Sequence, residues 1–207
     1  MCPPSASSTD TTPTKAWLRA GPEQRREMIV GAAMKLLHRK GPAAVTMRRV
    51  AASLGVGTMT LYTYLEGQTA LHREMVRRGF EMLNAGCREH STVDQDGSWR
   101  GGARYYLQFA IDHPNLFRLM FDTPLPEGEE DLLRGGFQPL LERVMERLRK
   151  QKQLSGQALE REARKQAGRY WLGVHGLAMV AISNRLSVLE GDLDELLDDL
   201  LPRIAPQ

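Results

Sequence analysis

Cysteine is nearly absent: among 207 residues only Cys2 and Cys87 occur. Cys2 lies in a terminal stretch with almost no apolar content, so a structural disulfide is not expected, and a reducing cytoplasm fits. No apolar run approaches the roughly 20 residues that would span a membrane. The N-terminus has no basic segment followed by an apolar stretch, so no signal peptide is expected. No Cys/His spacing suits zinc, and neither the Walker nor the dinucleotide-binding glycine pattern occurs. A metal or nucleotide cofactor is therefore not expected.

What is present is ordinary in amount and uneven in placement. Hydrophobic residues make up 42% and charged residues 26%, as in a globular protein large enough for one big domain or two small ones. The net charge is only +3. Between Lys15 and Phe80, however, there are 12 Lys/Arg and 4 Asp/Glu, and from Glu81 to Gln207 there are 16 and 20. The N-terminal part is thus the basic one, the footprint of a polyanion binder.

The basic part holds the most informative stretch, Thr46 to Leu71, TMRRVAASLGVGTMTLYTYLEGQTAL. Val50, Ala51 and Leu54 share one helical face, and Leu61, Tyr62 and Leu65 repeat the spacing. Gly55-Val56-Gly57 separates them. Two short helices joined by a glycine-containing turn are a helix-turn-helix pattern, whose second helix reads DNA. Gly55 suits a left-handed helix end, and Thr46 suits an N-cap. Arg48 and Arg49 then fall in the first helical turn, where the helix dipole disfavours cations. Cations placed there suggest an anionic partner such as phosphate, although a solvated charge is the plain alternative.

The surrounding chain reads as helix throughout. Pro22 to Lys40 forms the bracing helix, with an apolar stripe from Met28 to Leu37. Met1 to Thr14, rich in Ser, Thr and Pro, reads as a disordered tail, and Lys15 and Arg19 as a solvated arm. Further helices are expected over Gln68 to about His90, Ala103 to Asp112, Asn115 to Phe121, Leu132 to Leu154, Gln157 to Val188 and Asp192 to Leu201. Ser91 to Gly102 and Thr123 to Gly128 read as loops, and Pro139 as a first-turn or kinking residue. From Tyr170 to Ile182 the helix is apolar nearly all round, which points to burial by a partner subunit. The apolar stripe of the last helix wants either this core or a second chain. The fold class is all-α: an N-terminal three-helix helix-turn-helix domain (15–67), then a helical regulatory and dimerisation domain (68–207), about nine helices in total.

These motifs carry a family resemblance. The run from about Arg25 to Val76 resembles the DNA-binding domain of TetR/AcrR-family transcriptional regulators. The matching elements are Thr46-x-x-x-Val50-Ala51-x-x-x-Gly55-Val56, then Thr60-Leu61-Tyr62-x-Tyr64-Leu65, then Ala70-Leu71. The resemblance implies that Arg48, Thr58 and Met59 face base edges, and that Thr46, Thr60, Tyr62 and Tyr64 hold phosphates. It places Thr58 to Tyr64, Thr63 included, in the major groove. Two positions depart from the pattern. Gly57 stands where the family prefers a Ser cap. Gln68 stands where it usually has a phosphate-binding Lys; an amide there can still bond a phosphate oxygen without bringing charge.

The C-terminal part is similar to a TetR subgroup with a Trp…His-Gly core motif, here Trp171-x-x-x-His175-Gly176, preceded by His113-Pro114-x-x-Phe117-Arg118-Leu119-Met120. His175 either lines a small-molecule pocket or is a buried, hydrogen-bonded core residue. Tyr105, Phe109, Phe117, Met120, Trp171 and Met179 could line an apolar pocket beside it, or could be core. The resemblance implies a homodimer in the bacterial cytoplasm on a near-palindromic double-stranded operator. It further implies a repressor released by an unidentified effector, with no membrane partner. Two other readings stay open: a DNA-binding or architectural regulator without an effector, and an all-helical enzyme using His175 or His113 with a nearby carboxylate. No nucleophile or cofactor motif accompanies those histidines.

Overall fold

The computed structural model describes residues 12–93, 99–122, 130–152 and 154–207. Within them the chain forms ten α-helices and two 3-10 turns, with no strand. It divides into two compact units, residues 1–75 and 76–207.

The first unit contains α1 (Lys15–Arg19), α2 (Pro22–Lys40), α3 (Met47–Leu54), α4 (Thr58–Tyr62) and the start of α5 (Gln68–Val93). Helix α2 begins where proline fills the first helical position and ends where Gly41 adopts a positive φ of 75°. Its Ile29, Val30, Ala33 and Leu37 are buried and meet α3. Val50, Ala51 and Leu54 of α3, Val56 of the turn and Leu61 of α4 close the core.

Gly55 sets the α3–α4 angle. It sits at φ 70°, ψ 32°, and its N–H returns to the Ala51 and Ala52 carbonyls. The N-terminal segment runs close against it: an added Cβ would lie 2.0 Å from the Thr12 carbonyl oxygen. That segment is an ordered part of the unit where Lys15 and Arg19 had suggested a solvated arm. Thr14 caps α1 by accepting from the Trp17 N–H at 3.2 Å, and Trp17 is only 4% exposed. A single aromatic in a five-residue helix carries no periodicity, which is why the sequence pattern missed it. The tail expected over Met1 to Thr14 lies outside the described residues up to position 11.

The second unit holds the rest of α5, then α6 (Arg100–Asp112), α7 (Pro114–Phe121), α8 (Glu130–Lys152), α9 (Gly156–Ile182) and α10 (Leu193–Ile204). Helix α9 is its hub, packed by α6, α8 and α10. Part of the burial expected from a partner comes from this chain: Tyr170, Val174, Leu177 and Ala178 are buried within it. A strip with Leu172, 64% exposed, and Gly176 remains open, and Met179 to Ile182 are half-buried. The α10 stripe likewise turns inward through Leu197, Leu201 and Ile204. Gly173 allows this approach, since a Cβ there would lie 2.6 Å from Ile204 Cδ1.

Boundaries shift at the C-terminal ends of α9 and α5. Helix α9 stops at Ile182 rather than Val188, and Asn184 then takes φ 57°, a conformation asparagine tolerates better than most residues. Helix α5 runs on to Val93, and α6 starts at Arg100. Pro139 lies in the third turn of α8 instead of its first. The carbonyl that loses its partner there belongs to Gly135, an exposed residue. The loop expected over Thr123 to Gly128 lies outside the described residues.

The glycines yield a contrast to test. Gly31 is interior to α2 with open space around it. Gly31→Ala should therefore stabilise the protein by roughly 0.5–1 kcal/mol. Gly55→Ala should destabilise by about 1–2 kcal/mol for the left-handed conformation, and more from displacing the Thr12 backbone. Urea denaturation midpoints of the two variants should move in opposite directions.

Candidate nucleic-acid interface and internal cavity

In the first unit, Thr46 caps α3, its Oγ1 accepting from the Arg49 N–H at 3.3 Å. The cap orients the first turn so that Arg48 and Arg49 face solvent. Helix α4 starts at Gly57, whose N-cap position supplies no side-chain bond. Leu61 and Leu65, both buried, press one side of α4 and its following turn into the core. The opposite side then presents Met59 at 78% exposure, Tyr62 at 48% and Thr63, spaced i, i+3 and i+4. Thr58 and Thr60 are half-buried at its edges. No carboxylate among the described residues pairs with Arg48 or Arg49, whereas Arg26 pairs with Glu74 at 2.5 Å.

Two of the proposed phosphate contacts are engaged inside the protein. Gln68 Oε1 accepts from the Met47 N–H at 3.2 Å, and its Nε2 donates to the Val45 carbonyl at 2.7 Å and meets His72 Nε2 at 2.8 Å. Its amide staples the start of α5 to the start of α3, so little of it is left for a phosphate. That use of an uncharged amide corrects the expectation for this position. Tyr64 turns inward, its ring edge-on to Trp17 at 5.7 Å and its hydroxyl accepting from Arg25 Nη1 at 2.9 Å. The hydroxyl keeps its own proton to donate. Arg25 also lies over the Trp17 ring and donates to the Trp17 carbonyl, which fastens α1 to α2.

In the second unit, α5, α6, α8 and α9 enclose an open-mouthed cavity of about 890 Å³. Phe80, Leu83, Phe121, Phe137, Leu140, Tyr170 and Val174 give it apolar walls. Trp171 and His175, one helical turn apart on α9, line it together, their rings stacked at 4.9 Å. His175 Nδ1 lies 2.9 Å from the Tyr106 hydroxyl. At another part of the wall Arg143 lies over the Trp99 ring at 4.2 Å and donates to Ser91 Oγ.

Both units match known families. Residues 29–81 match the family model described as bacterial regulatory proteins, tetR family, and residues 99–204 match the tetracycline repressor-like C-terminal domain. The chain belongs to the TetR family. It is similar to the HTH-type transcriptional repressor DrrR1 of Streptomyces coeruleorubidus, 33% identical over 103 residues. That match covers 48% of this chain and 36% of the relative, so the chain spans about a third of that protein's length. Its fold resembles a protein of unknown function from Rhodococcus sp. RHA1, with a TM-score of 0.69 at 19% identity, over 94% of this chain and 100% of that one. It also resembles the TetR-family transcriptional repressor FadR of Thermus thermophilus, solved in complex with lauroyl-CoA. There the TM-score is 0.59 at 24% identity, over 87% and 93% of the two chains.

In this TetR-family chain most of the aromatic and Met residues singled out from sequence stand beside the cavity and do not line it. Tyr105 lies flat over Gly86, where a Cβ would come within 1.9 Å of its ring, and stacks on His90 at 4.7 Å. Phe117 is fully buried behind His175, at 5.4 Å. Met120 packs onto Gly79, and Phe109 is buried with its ring against His113. Met179 sits near the end of α9 and is not among the lining residues. The sequence reading missed Tyr106, Phe121 and Phe137, and the α5 series Phe80, Leu83, Asn84, Cys87 and Ser91. That series holds helical spacing while turning from apolar to polar, a signal of a face that meets a cavity rather than a sealed core.

Burial tunes the titratable groups here. It pushes the Cys87 thiol up to about 12, with Arg143 opposing, so this cysteine keeps its proton. It raises Tyr106 as well. His175 is lowered from the ordinary 6.5 by burial, against an opposing pull from Asp122, and His72 is lowered by burial alone. Below 6.5 the unfolded chain therefore takes up protons that the native histidines refuse. Stability should be insensitive to these groups above that value and fall as pH drops beneath it. Thermal melts of wild type and His175→Gln from about pH 7.5 to about 5.5 check this, the variant showing the shallower decline.

Proposed function

We propose that this chain is a sequence-specific, homodimeric DNA-binding transcriptional regulator, a repressor released by a small-molecule effector. The outward face of α4, flanked by Arg48 and Arg49, carries this reading. A face of Met59, Tyr62 and Thr63 offers little reason for exposure on a free protein and suits a major groove, where apolar and hydroxyl groups meet base edges and phosphates. Arg48, Thr58 and Met59 are the base-edge candidates, and Thr46, Arg49, Thr60, Tyr62 and Tyr64 the phosphate candidates. Residues 15–67 read DNA in this view, and residues 68–207 dimerise and regulate. The strip of α9 with Gly168, Leu172 and Gly176, small residues around one exposed leucine, is the proposed dimer face.

The cavity supports a ligand-responsive regulator over an effector-independent one, since its volume falls in the range of small-molecule sites. The repressor solved with lauroyl-CoA is a structural relative in keeping with an effector. The effector's influence on DNA affinity equals its differential affinity for the two head spacings. The catalytic alternative gains nothing from the geometry, because His175 is hydrogen-bonded to a tyrosine and not to a carboxylate. A cytoplasmic location accords with this reading, and no helix among the described residues is long and apolar enough to cross a membrane.

Footprinting of purified protein on DNA upstream of its own gene should reveal a near-palindrome with half-sites about 34 Å apart. Arg48→Ala should weaken specific binding by about 1–3 kcal/mol and relax the sequence preference. Tyr62→Phe should weaken specific and random DNA alike. An Arg48→Ala protein with unchanged preference would remove that residue from base reading.

A further inference from the structure

The cavity has a polar feature that its apolar walls set apart. His175 forms part of an aromatic wall: Trp171 stacks on it, and the Phe121 ring meets it edge-on at 4.7 Å. Phe137 stands edge-on to Trp171 at 6.2 Å. One ring nitrogen, Nδ1, is turned toward the buried Tyr106 hydroxyl. The other, Nε2, has no hydrogen-bond partner among the described residues, and the ring that carries it lines the cavity.

The proton positions follow from counting donors. Tyr106 is buried and has one proton to place. Among the described residues the hydrogen-bond partner of that hydroxyl is His175 Nδ1, 2.9 Å away, which can accept the proton. Tyr106 then donates to Nδ1, and a neutral imidazole accepting there carries its proton on Nε2. The pair Tyr106 to His175 therefore leaves one N–H donor, Nε2–H, on a ring that lines an aromatic-walled space. At this end of the site Asp122 acts as a negative charge, which disfavours an anion, while an N–H donor disfavours a cation; the lining's Arg88, Arg134, Arg143, Glu142 and Glu146 belong to its α5 and α8 walls.

We propose that the cavity binds a flat, uncharged aromatic carbonyl compound, its ring face against Trp171 and the phenyl walls and its carbonyl oxygen accepting from His175 Nε2–H. This rests on the reading of the cavity as the effector site and names the chemistry that site selects. Tyr106 is a positioning residue, holding the imidazole in the donor tautomer.

Three tricyclic probes of one shape separate the possibilities: fluorene, which has no hydrogen-bonding group; 9-fluorenone, which accepts; and carbazole, which donates. Each is titrated against the full-length protein, with binding read from tryptophan fluorescence and calorimetry. Fluorenone should bind about tenfold more tightly than fluorene or carbazole, the worth of one good buried hydrogen bond. His175→Phe should keep fluorene binding and erase the fluorenone advantage, and Tyr106→Phe should reduce it. Equal binding of all three, a preference for carbazole, or no binding of any overturns the proposal. Nitrogen-15 histidine spectra of unliganded wild type give a second reading that needs no variant: an Nε2–H tautomer at His175 is expected, and an Nδ1–H tautomer overturns the proposal. Because these measurements use protein without DNA, their failure is distinct from a failure of operator footprinting.

Discussion

The left-handed turn at Gly55 is the constraint on which the DNA-facing unit depends. It ends α3, aims α4 across it and leaves room for the Thr12 backbone where any Cβ would intrude. Leu61 then seals the crossing from beneath, and with it the opposite side of α4 is committed to solvent. The exposure of Met59, Tyr62 and Thr63 is thus a geometric result of one backbone conformation and one buried leucine. The N-terminal segment joins the same device. Thr14 caps α1, Trp17 buries its indole, and Arg25 ties Trp17 to Tyr64 just after α4. A residue that sequence motifs assign to DNA contact is held in place from behind by residues far away in the chain.

The second unit solves a different problem. Helix α9 is apolar on most sides and is covered on three of them by α6, α8 and α10. Large aromatic side chains at this junction fill space unevenly, and the remainder is the cavity. Several of its polar groups are held by named partners or by burial. Tyr106 and His175 satisfy one another, Arg143 lies flat on Trp99, and Cys87 stays protonated by burial. The wall around His175 discriminates by shape and by a few directed hydrogen bonds, while the charged side chains of the lining, Arg88, Arg134, Arg143, Glu142 and Glu146, come from α5 and α8.

Helices α2 through α5 were legible because each has its own local signal: proline at a start, glycine at an end, a threonine cap, a 3.6-residue apolar period. The ends of α5 and α9 were not, because a helix continues or stops according to what packs on its last turn. Gln68 shows the same limit at a single residue. Motif comparison assigns it to a phosphate, yet its amide bonds the Met47 N–H and the Val45 carbonyl. Which of two acceptable partners an amide takes depends on distances that no local pattern contains.

By itself the sequence determined the all-helical class, the helix-turn-helix and its left-handed glycine, and the concentration of positive charge on the N-terminal part, since these depend on local spacing and composition. Tertiary structure alone decided which aromatics are core and which line the cavity. Tyr105 and Tyr106 are neighbours in the chain, but successive residues on a helix point about 100° apart. One therefore lies over Gly86, and the other reaches His175.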